Sequence, residues 1–433
     1  MAKVFVSFDK IKGKIKPVHG VGQPPFSGTN FNMISYLTEA NIPYSRLHDV
    51  GGPYGGFRWV DIPNIFRDFD ADPYDPASYD FAFTDLLIKA LVDASVEPVY
   101  RLGVSIENAH NVRAYRIFPP TDFKKWSVIC EHIIRHYNEG WADGFYYNIT
   151  YWEIWNEPDN SGDLSENAMW QGTMQEYFEL YETASKHLKS CFPYVKVGGY
   201  ASSGLYQILK HYVPEAKTSP RREYFITFMD KFLRHVKEKD CPLDFFSWHS
   251  YDSIEANVHY ANYVRRRLDE EGFEGVETSC NEWNFKPSMR GTGFHAAHLT
   301  AMLLAFQDLP VDTAMFYDAR FGTSAYGGMF NPLTAKPFPA YYGFKCFGEL
   351  YRLGEQAESH AEGKGIYAVA AAKNGVGALL IANVAEAEVP LEISLGGARV
   401  ISASLFAEGE ETLLCHTPTS LPRESFLFVK VEL

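Results

Sequence analysis

A chain of 433 residues with 46% hydrophobic and 22% charged residues has the makeup of a globular protein with a large core, and at about three times a typical domain it has room for more than one unit. Forty lysines and arginines against 54 aspartates and glutamates leave a net charge of −14, a field that repels phosphates and argues against nucleic-acid binding through a broad basic surface. No run approaches the roughly 18 uninterrupted apolar residues of a membrane helix, so no membrane partner is expected.

The start, MAKVFVSFDK, lacks the long apolar core of a secretion signal and points to a cytoplasmic protein. The lysines at 3, 10, 12, 14 and 16 read as a solvated strand edge. Six cysteines, at 130, 191, 241, 280, 346 and 415, form no Cys-x-x-Cys pair. They suit reduced thiols better than a disulfide frame or a zinc site, so no metal is expected.

Along the chain, short apolar runs alternate with loops and longer amphipathic stretches. Strands are predicted at 18–22, 44–49, 97–103, 151–157, 195–200, 245–251, 277–283 and 313–319. Helices are predicted at 81–95, 121–137, 174–190, 222–239, 257–271 and 293–308, the second opening on Thr121 as N-cap. Eight strands, most followed by a helix, predict an α/β fold, a (β/α)8 barrel over 17–345. A doubly wound sheet is the alternative, but no Gly-x-Gly-x-x-Gly follows any strand, and the Gly51–Gly56 loop, broken by Pro53, makes a poor phosphate cradle. No cofactor is expected. Beyond about 345 the pattern changes to short β-rich runs with turns such as Lys373-Asn374-Gly375, which predicts an accessory antiparallel β-sandwich over 346–433. The strand-like residues 1–16 are expected to cross over and join it.

Two motifs carry the chemistry. In Tyr151-Trp152-Glu153-Ile154-Trp155-Asn156-Glu157-Pro158, Glu157 falls at the C-terminal end of the fourth strand, where barrel active sites lie, and Pro158 ends the ladder. Alternation puts Glu153 and Trp155 on the same face as Glu157. In Ser279-Cys280-Asn281-Glu282-Trp283-Asn284, Glu282 ends the seventh strand. It lies 125 residues beyond Glu157, about 42 for each of three βα units, which places the two carboxyl groups across the barrel mouth from one another.

The set formed by Trp155-Asn156-Glu157-Pro158, Asn281-Glu282-Trp283-Asn284, His19-Gly-Val-Gly, Arg46-Leu47-His48-Asp49 and Trp248-His249-Ser250-Tyr251 resembles glycoside hydrolase family 39, home of β-xylosidases and α-L-iduronidase, among the clan A retaining glycosidases. The resemblance covers most of the barrel, and the terminal sandwich matches the family architecture. It implies a retaining glycosidase, most readily a β-xylosidase acting on xylo-oligosaccharides or small glycosides. Glu157 would be the general acid and then base, and Glu282 the nucleophile, with carboxyl groups roughly 5–5.5 Å apart. Glu157 would hold its proton near neutral pH and Glu282 would stay charged.

The same resemblance implies supporting roles. Arg46 and Tyr251 would donate to Glu282, and Asn156 would bind the sugar 2-hydroxyl. His48 and His249 would meet other hydroxyls, Trp283 would form an apolar floor under the ring, and Tyr317 and Asp318, ending strand eight, would be further substrate-binding residues. Strand eight departs from the clan: 315–320 is Met-Phe-Tyr-Asp-Ala-Arg and lacks the usual tryptophan. Asp318 and Arg320 would suit a polar or acidic substituent, which keeps arabinose-type, hexose and uronic acid substrates open, as well as a non-catalytic carbohydrate-binding homologue. The loops 52–80 and 284–293 are expected to shape the pocket, with Lys286 or Arg290 placed to meet a substrate carboxylate. His295-Ala-Ala-His298 lacks the carboxylate of a His-Glu-x-x-His zinc site, and Ser202-Ser203 lacks the Gly-x-Ser-x-Gly elbow of a serine hydrolase.

Overall fold

The computed structural model describes every residue except 26, 29–31, 51–57, 106–116 and 323–324; the Gly51–Gly56 loop therefore lies outside the described residues. Eight parallel strands close into a barrel: Gly20–Gly22, Tyr44–Leu47, Glu97–Leu102, Tyr151–Ile154, Lys196–Ser202, Phe245–Ser250, Glu277–Trp283 and Thr313–Phe316, the last pairing back onto the first. All eight predicted strands are present, most of them shorter than predicted. The six predicted helices are found at Ala82–Asp93, Phe123–Glu139, Met174–Cys191, Pro220–Glu238, Ile254–Glu270 and Gly293–Asp308. The second of these is capped by Asp122, whose carboxylate accepts from the Lys125 N–H at 3.0 Å, and not by Thr121. A carboxylate at the positive end of the helix does the same task with a full charge.

The barrel interior is layered. Near its base Val99, Tyr151, Phe245 and Met315 pack into a small apolar cluster with Tyr44. Above them the same strands contribute Arg46, Arg101, Glu153 and Ser247, all buried. Arg101 is neutralised by Asp61, itself bonded to the backbone N–H and hydroxyl of Ser105 at 2.7 and 2.9 Å. The axis thus runs from dry to charged, and the charged end opens to solvent at the C-terminal rim.

A last barrel helix, Pro339–Leu353, leads into the second sheet, whose next strand begins at Glu355. We propose Gly354, at φ 86°, as the division between the two parts in place of 345. The sheet has nine strands, in the order Glu410–Leu414, Arg399–Ala407, Ser425–Glu432, Val376–Asn383, Ile366–Lys373, Glu355–Glu362, Ala2–Lys14, Val389–Ser394 and Ser420–Leu421. Its pairings are antiparallel except for the parallel match of Ala2–Phe5 with Leu391–Ser394. Both faces are buried: Leu380, Ala382, Phe426 and Phe428 join the barrel's helical core, while Leu379, Ile381, Leu427 and Val429 fill a separate core within the curled sheet. Burial on both faces explains why those strands read as unbroken apolar runs.

Ala2–Lys14 is an interior strand, since it also pairs with Glu355–Glu362, and Lys16 is no part of a solvated edge. The Lys16 ammonium donates to the carbonyl oxygens of Phe306, Leu309 and Val311 at 3.2, 2.5 and 3.1 Å, tying the N-terminal segment to the end of a barrel helix. All six cysteines are free thiols. Among the described residues no helix is long and apolar enough to cross a membrane.

Candidate active site

A cavity of about 900 Å³ opens at the C-terminal rim of the barrel. Strand four ends at Ile154, and Trp155 and Glu157 then adopt left-handed conformations (φ 71° and 46°). This break in the alternation turns Trp155 outward, where it packs on Trp170 at 5.0 Å and donates its indole N–H to the Met169 carbonyl at 2.8 Å. Trp155 therefore does not share a face with Glu157. The same break lets two consecutive residues, Asn156 and Glu157, face the cavity. A ladder bond from the Glu157 N–H to the Ala201 carbonyl at 3.0 Å fixes the turn to strand five.

Glu282 arrives from strand seven, and an oxygen of its carboxylate lies within 4.8 Å of one on Glu157. The His249 ring stands between them, with Nδ1 2.7 Å from Glu157 Oε1 and Nε2 3.5 Å from Glu282 Oε2. Asn160 donates to Glu157 Oε2 at 2.7 Å. Glu282 receives the Tyr251 hydroxyl on Oε1 and Arg46 on Oε2 at 3.2 Å. Arg46 also donates to Glu153 at 2.8 Å and to the Asn156 side-chain oxygen Oδ1 at 2.5 Å, so the amide NH2 of Asn156 is the group left for the cavity. Glu153 is held further by Ser247 at 2.6 Å and by Asn281.

Burial raises Glu282 above the usual carboxylate range, and the charge of Glu157 adds to the rise against the opposing pull of His249, Arg46 and Tyr251. Burial pushes Glu157 up as well, but the His249 bond and charge, with Asn160 and Arg221, outweigh it and bring Glu157 down. Burial lowers His249, yet the two glutamates prevail and raise it. This order is the reverse of the one expected for the two glutamates, and its cause is His249. His249 Nδ1 and Glu157 Oε1 share the 2.7 Å bond, and the two carboxyl groups, which repel one another across the site, titrate as a pair. His48 is neutral, lowered well below its usual range by burial and by Arg101 and Arg46.

Of the candidate residues, Glu157, Glu282, Asn156, His48, Tyr251 and Tyr317 line the cavity, while Arg46 and His249 contact its carboxylates from behind. His249 places Nδ1 on Glu157, while its buried Nε2, 3.5 Å from Glu282 Oε2, makes no hydrogen bond among the described residues. Trp283 and Asp318 are not in the lining. Trp283 follows an inward Glu282 and so points outward by alternation, with no exposed surface and against Phe306 and Phe316. Lys286 lies over Phe285 and Phe294, and Arg290 donates to the Pro287 and Ala325 carbonyls.

Residues not singled out from the sequence also line the cavity: Asn160, Ser203, Tyr206, Ser219, Arg221, Arg222, Phe225 and Tyr326. Tyr326 is held through Asn284, whose amide donates to the Tyr317 and Tyr326 carbonyls at 2.6 and 2.9 Å and whose oxygen meets His295 at 3.2 Å. His295 thus braces the rim. Three groups among the described residues have metal-like spacing: Glu157/His249/Glu282, Glu131/His187/Cys191 and Glu182/His235/Cys241. In the first, Arg46 and Tyr251 already occupy Glu282, and a guanidinium at 3.2 Å opposes a cation. In the second, Arg135 holds Glu131 at 2.8 Å, and in the third Lys186 holds Glu182 at 2.9 Å.

Comparison with known proteins finds relatives in both sequence and fold. A β-xylosidase from Caldicellulosiruptor saccharolyticus is 25% identical over 360 residues, which cover 75% of this chain and 65% of that protein. One from Geobacillus stearothermophilus is 23% identical over 370 residues, covering 72% and 67%. The chain thus spans about two thirds of the length of these relatives. Among solved structures, a glucosidase from Croceicoccus marinus superposes with a TM-score of 0.79 at 22% identity, covering 100% of this chain and 99% of that one. A family 39 β-xylosidase from Caulobacter crescentus superposes with 0.67 at 16% identity over the whole of both chains. The model of the glycosyl hydrolases family 39 matches residues 54–304, more than half of the chain, and the protein belongs to that family.

Proposed function

We propose that the protein is a retaining glycosidase, with β-xylosides as its first candidate substrates and no cofactor. The observation that carries this reading is the approach of the Glu157 and Glu282 carboxylates to within 4.8 Å at the ends of strands four and seven. That spacing suits direct attack on the sugar and leaves no room for the water of an inverting site, which needs roughly 6.5–9.5 Å.

In the first step a Glu282 oxygen bonds to the anomeric carbon while the glycosidic C–O bond breaks, and the proton held by the Glu157–His249 pair passes to the departing oxygen. In the second step Glu157 takes a proton from water, the water oxygen bonds to the anomeric carbon, and Glu282 departs as carboxylate. Arg46 and Tyr251 donate to Glu282 whenever it is charged, and the Asn156 amide meets the 2-hydroxyl. His48 and Tyr317 complete the wall, Tyr317 receiving the Gln23 amide and donating to Asp49 at 3.2 Å.

The test is a panel of aryl β-xyloside, β-glucoside, β-galactoside, α-L-arabinoside and uronides, with the first-formed product anomer followed by NMR. The β-xyloside is expected to turn over fastest and the product to keep the substrate's configuration. In Glu157→Ala, added azide should restore turnover of an activated aryl glycoside and yield a glycosyl azide of retained configuration. An inverted first product, or full hydrolysis by Glu282→Gly, refutes the mechanism, and binding without turnover across the panel refutes the enzyme.

A further inference from the structure

The segment 210–222, KHYVPEAKTSPRR, carries four lysines and arginines against one glutamate in a chain of net charge −14. It ends in the first turn of the helix Pro220–Glu238, and Ser219, Arg221 and Arg222 from it line the active-site cavity. Arg221 is exposed and Arg222 half-buried, and each is tethered through one backbone carbonyl and one ring. Arg221 donates Nε to the Asn160 carbonyl at 2.6 Å and lies over the Phe225 ring at 5.7 Å. Arg222 donates to the Lys217 carbonyl at 2.6 Å and lies over Tyr206 at 5.4 Å. Among the described residues no carboxylate oxygen comes within 4.0 Å of either guanidinium. Glu223, the acid of that turn, meets Gln207 at 3.3 Å instead. Two tethered planar forks with no carboxylate at ion-pair distance suit an anion from outside, because the guanidinium group is shaped to bind carboxylates bidentately.

The position says which part of the substrate brings the anion. Arg221 holds Asn160, and Asn160 holds Glu157, so the arginines stand on the Glu157 wall. The Glu282 wall is made by Tyr251, Tyr317 and Tyr326. A general acid sits beside the bond to the leaving group. Resting on the assignment of Glu157 as that acid, we propose that Arg221 and Arg222 form a subsite for an anionic leaving group, a carboxylate carried by the sugar or aromatic ring that departs.

The experiment compares kcat/KM for 4-carboxyphenyl and 4-carbamoylphenyl glycosides of the sugar that the panel selects, in wild type, in Arg222→Gln and in the double variant Arg221→Gln/Arg222→Gln. Taking the ratio in each protein cancels the intrinsic leaving ability of the two phenols. The ratio should fall about ten-fold in Arg222→Gln and further in the double variant, in line with loss of one and then two charge-assisted contacts, and the wild-type ratio should fall as NaCl is added. Arg222→Lys should keep part of the preference. A 4-sulfophenyl arm tells a planar carboxylate from a tetrahedral oxyanion: a sulfonate preferred over the carboxylate overturns the assignment to carboxylate. Equal ratios in all three proteins, or a ratio indifferent to salt, overturn the subsite. Calorimetric binding of 4-hydroxybenzoate to wild type and Arg222→Gln reads anion capture without hydrolysis. A protein that binds the benzoate but cleaves no glycoside keeps the subsite and loses the proposed activity. One that cleaves the neutral glycoside without any charge preference keeps the activity and loses the subsite.

Discussion

Replacing Tyr251 by phenylalanine removes one oxygen atom from the site. The Tyr251 hydroxyl donates to Glu282 Oε1, and its ring lies against Tyr326 at 5.0 Å and Tyr317 at 6.5 Å. Phenylalanine keeps those ring contacts, so the fold should be unaffected. A hydrogen bond to a charged group contributes about 1.5–3 kcal/mol, and at about 1.36 kcal/mol per factor of ten in rate the expected loss in kcat/KM is about 10- to 150-fold. The sign of the pH effect follows from the same bond. Burial raises Glu282, and the Tyr251 bond is among the groups that lower it again. Without that bond Glu282 protonates at higher pH, so the acidic limb of the kcat/KM profile moves upward. The assay is hydrolysis of an aryl glycoside across pH 4–9, with thermal unfolding as the folding control. An unchanged rate with an unmoved acidic limb refutes the assignment of Glu282 as the ionised nucleophile held by Tyr251. A loss uniform in pH together with a lower Tm makes Tyr251 a packing residue.

Asp159 is fully buried against Ser202 and Ser203, and burial, opposed by those bonds and aided by Glu157, raises it to about 7. The folded chain then holds a proton that the unfolded chain has released above pH of about 4, so wild-type stability falls between about pH 4 and pH 7, by up to about 4 kcal/mol. Asp159→Asn should flatten that part of the stability–pH curve in chemical denaturation, and parallel curves for the two proteins count against the shift. A Cβ at Gly348 would sit 1.8 Å from the Ala40 carbonyl oxygen, so Gly348→Ala should destabilise by about 3 kcal/mol. Gly13, with nothing within 4 Å of such a Cβ, is the control, and equal unfolding midpoints for Gly348→Ala and Gly13→Ala contradict the clash.

The barrel was legible because parallel strands buried on both faces read as compact apolar runs, and Glu157 and Glu282 because each ends such a run. Most of the misreadings come from local geometry that departs from ideal periods. Trp155 was assigned to the inner face by strict alternation, which the left-handed residues at 155 and 157 break. Trp283 could have been placed outward by the same rule applied to Glu282. Arg221, Arg222 and Tyr326 reach the cavity from loops and a helix start, where no period operates. The one available signal for the arginines was the basic composition of 210–222. The His249 bond that reverses the order of the two glutamates joins residues 92 apart, and only folding brings them together.

The buried charges at the site have their own arithmetic. Arg46 and, when protonated, His249 face Glu153, Glu157 and Glu282, two positive groups against three negative. Burying an ion pair adds little net stability, since desolvation cancels most of the attraction, and a hydrophobic barrel interior would hold the fold as well. The charged layer makes sense as a device for the reaction. Glycosidic cleavage passes through a sugar ring carrying developing positive charge, and a site with one surplus negative charge stabilises that ring without any groups having to reorient. Arg46 fixes where the surplus lies. It engages Glu153 and Asn156 as well as Glu282, so the Glu282 carboxylate, the proposed nucleophile, is set in place by the same side chain that closes the barrel's interior network. That coupling lets a residue with only 1% of its surface exposed act on the rim: its removal would leave Glu153 without its guanidinium below and Glu282 unsupported above.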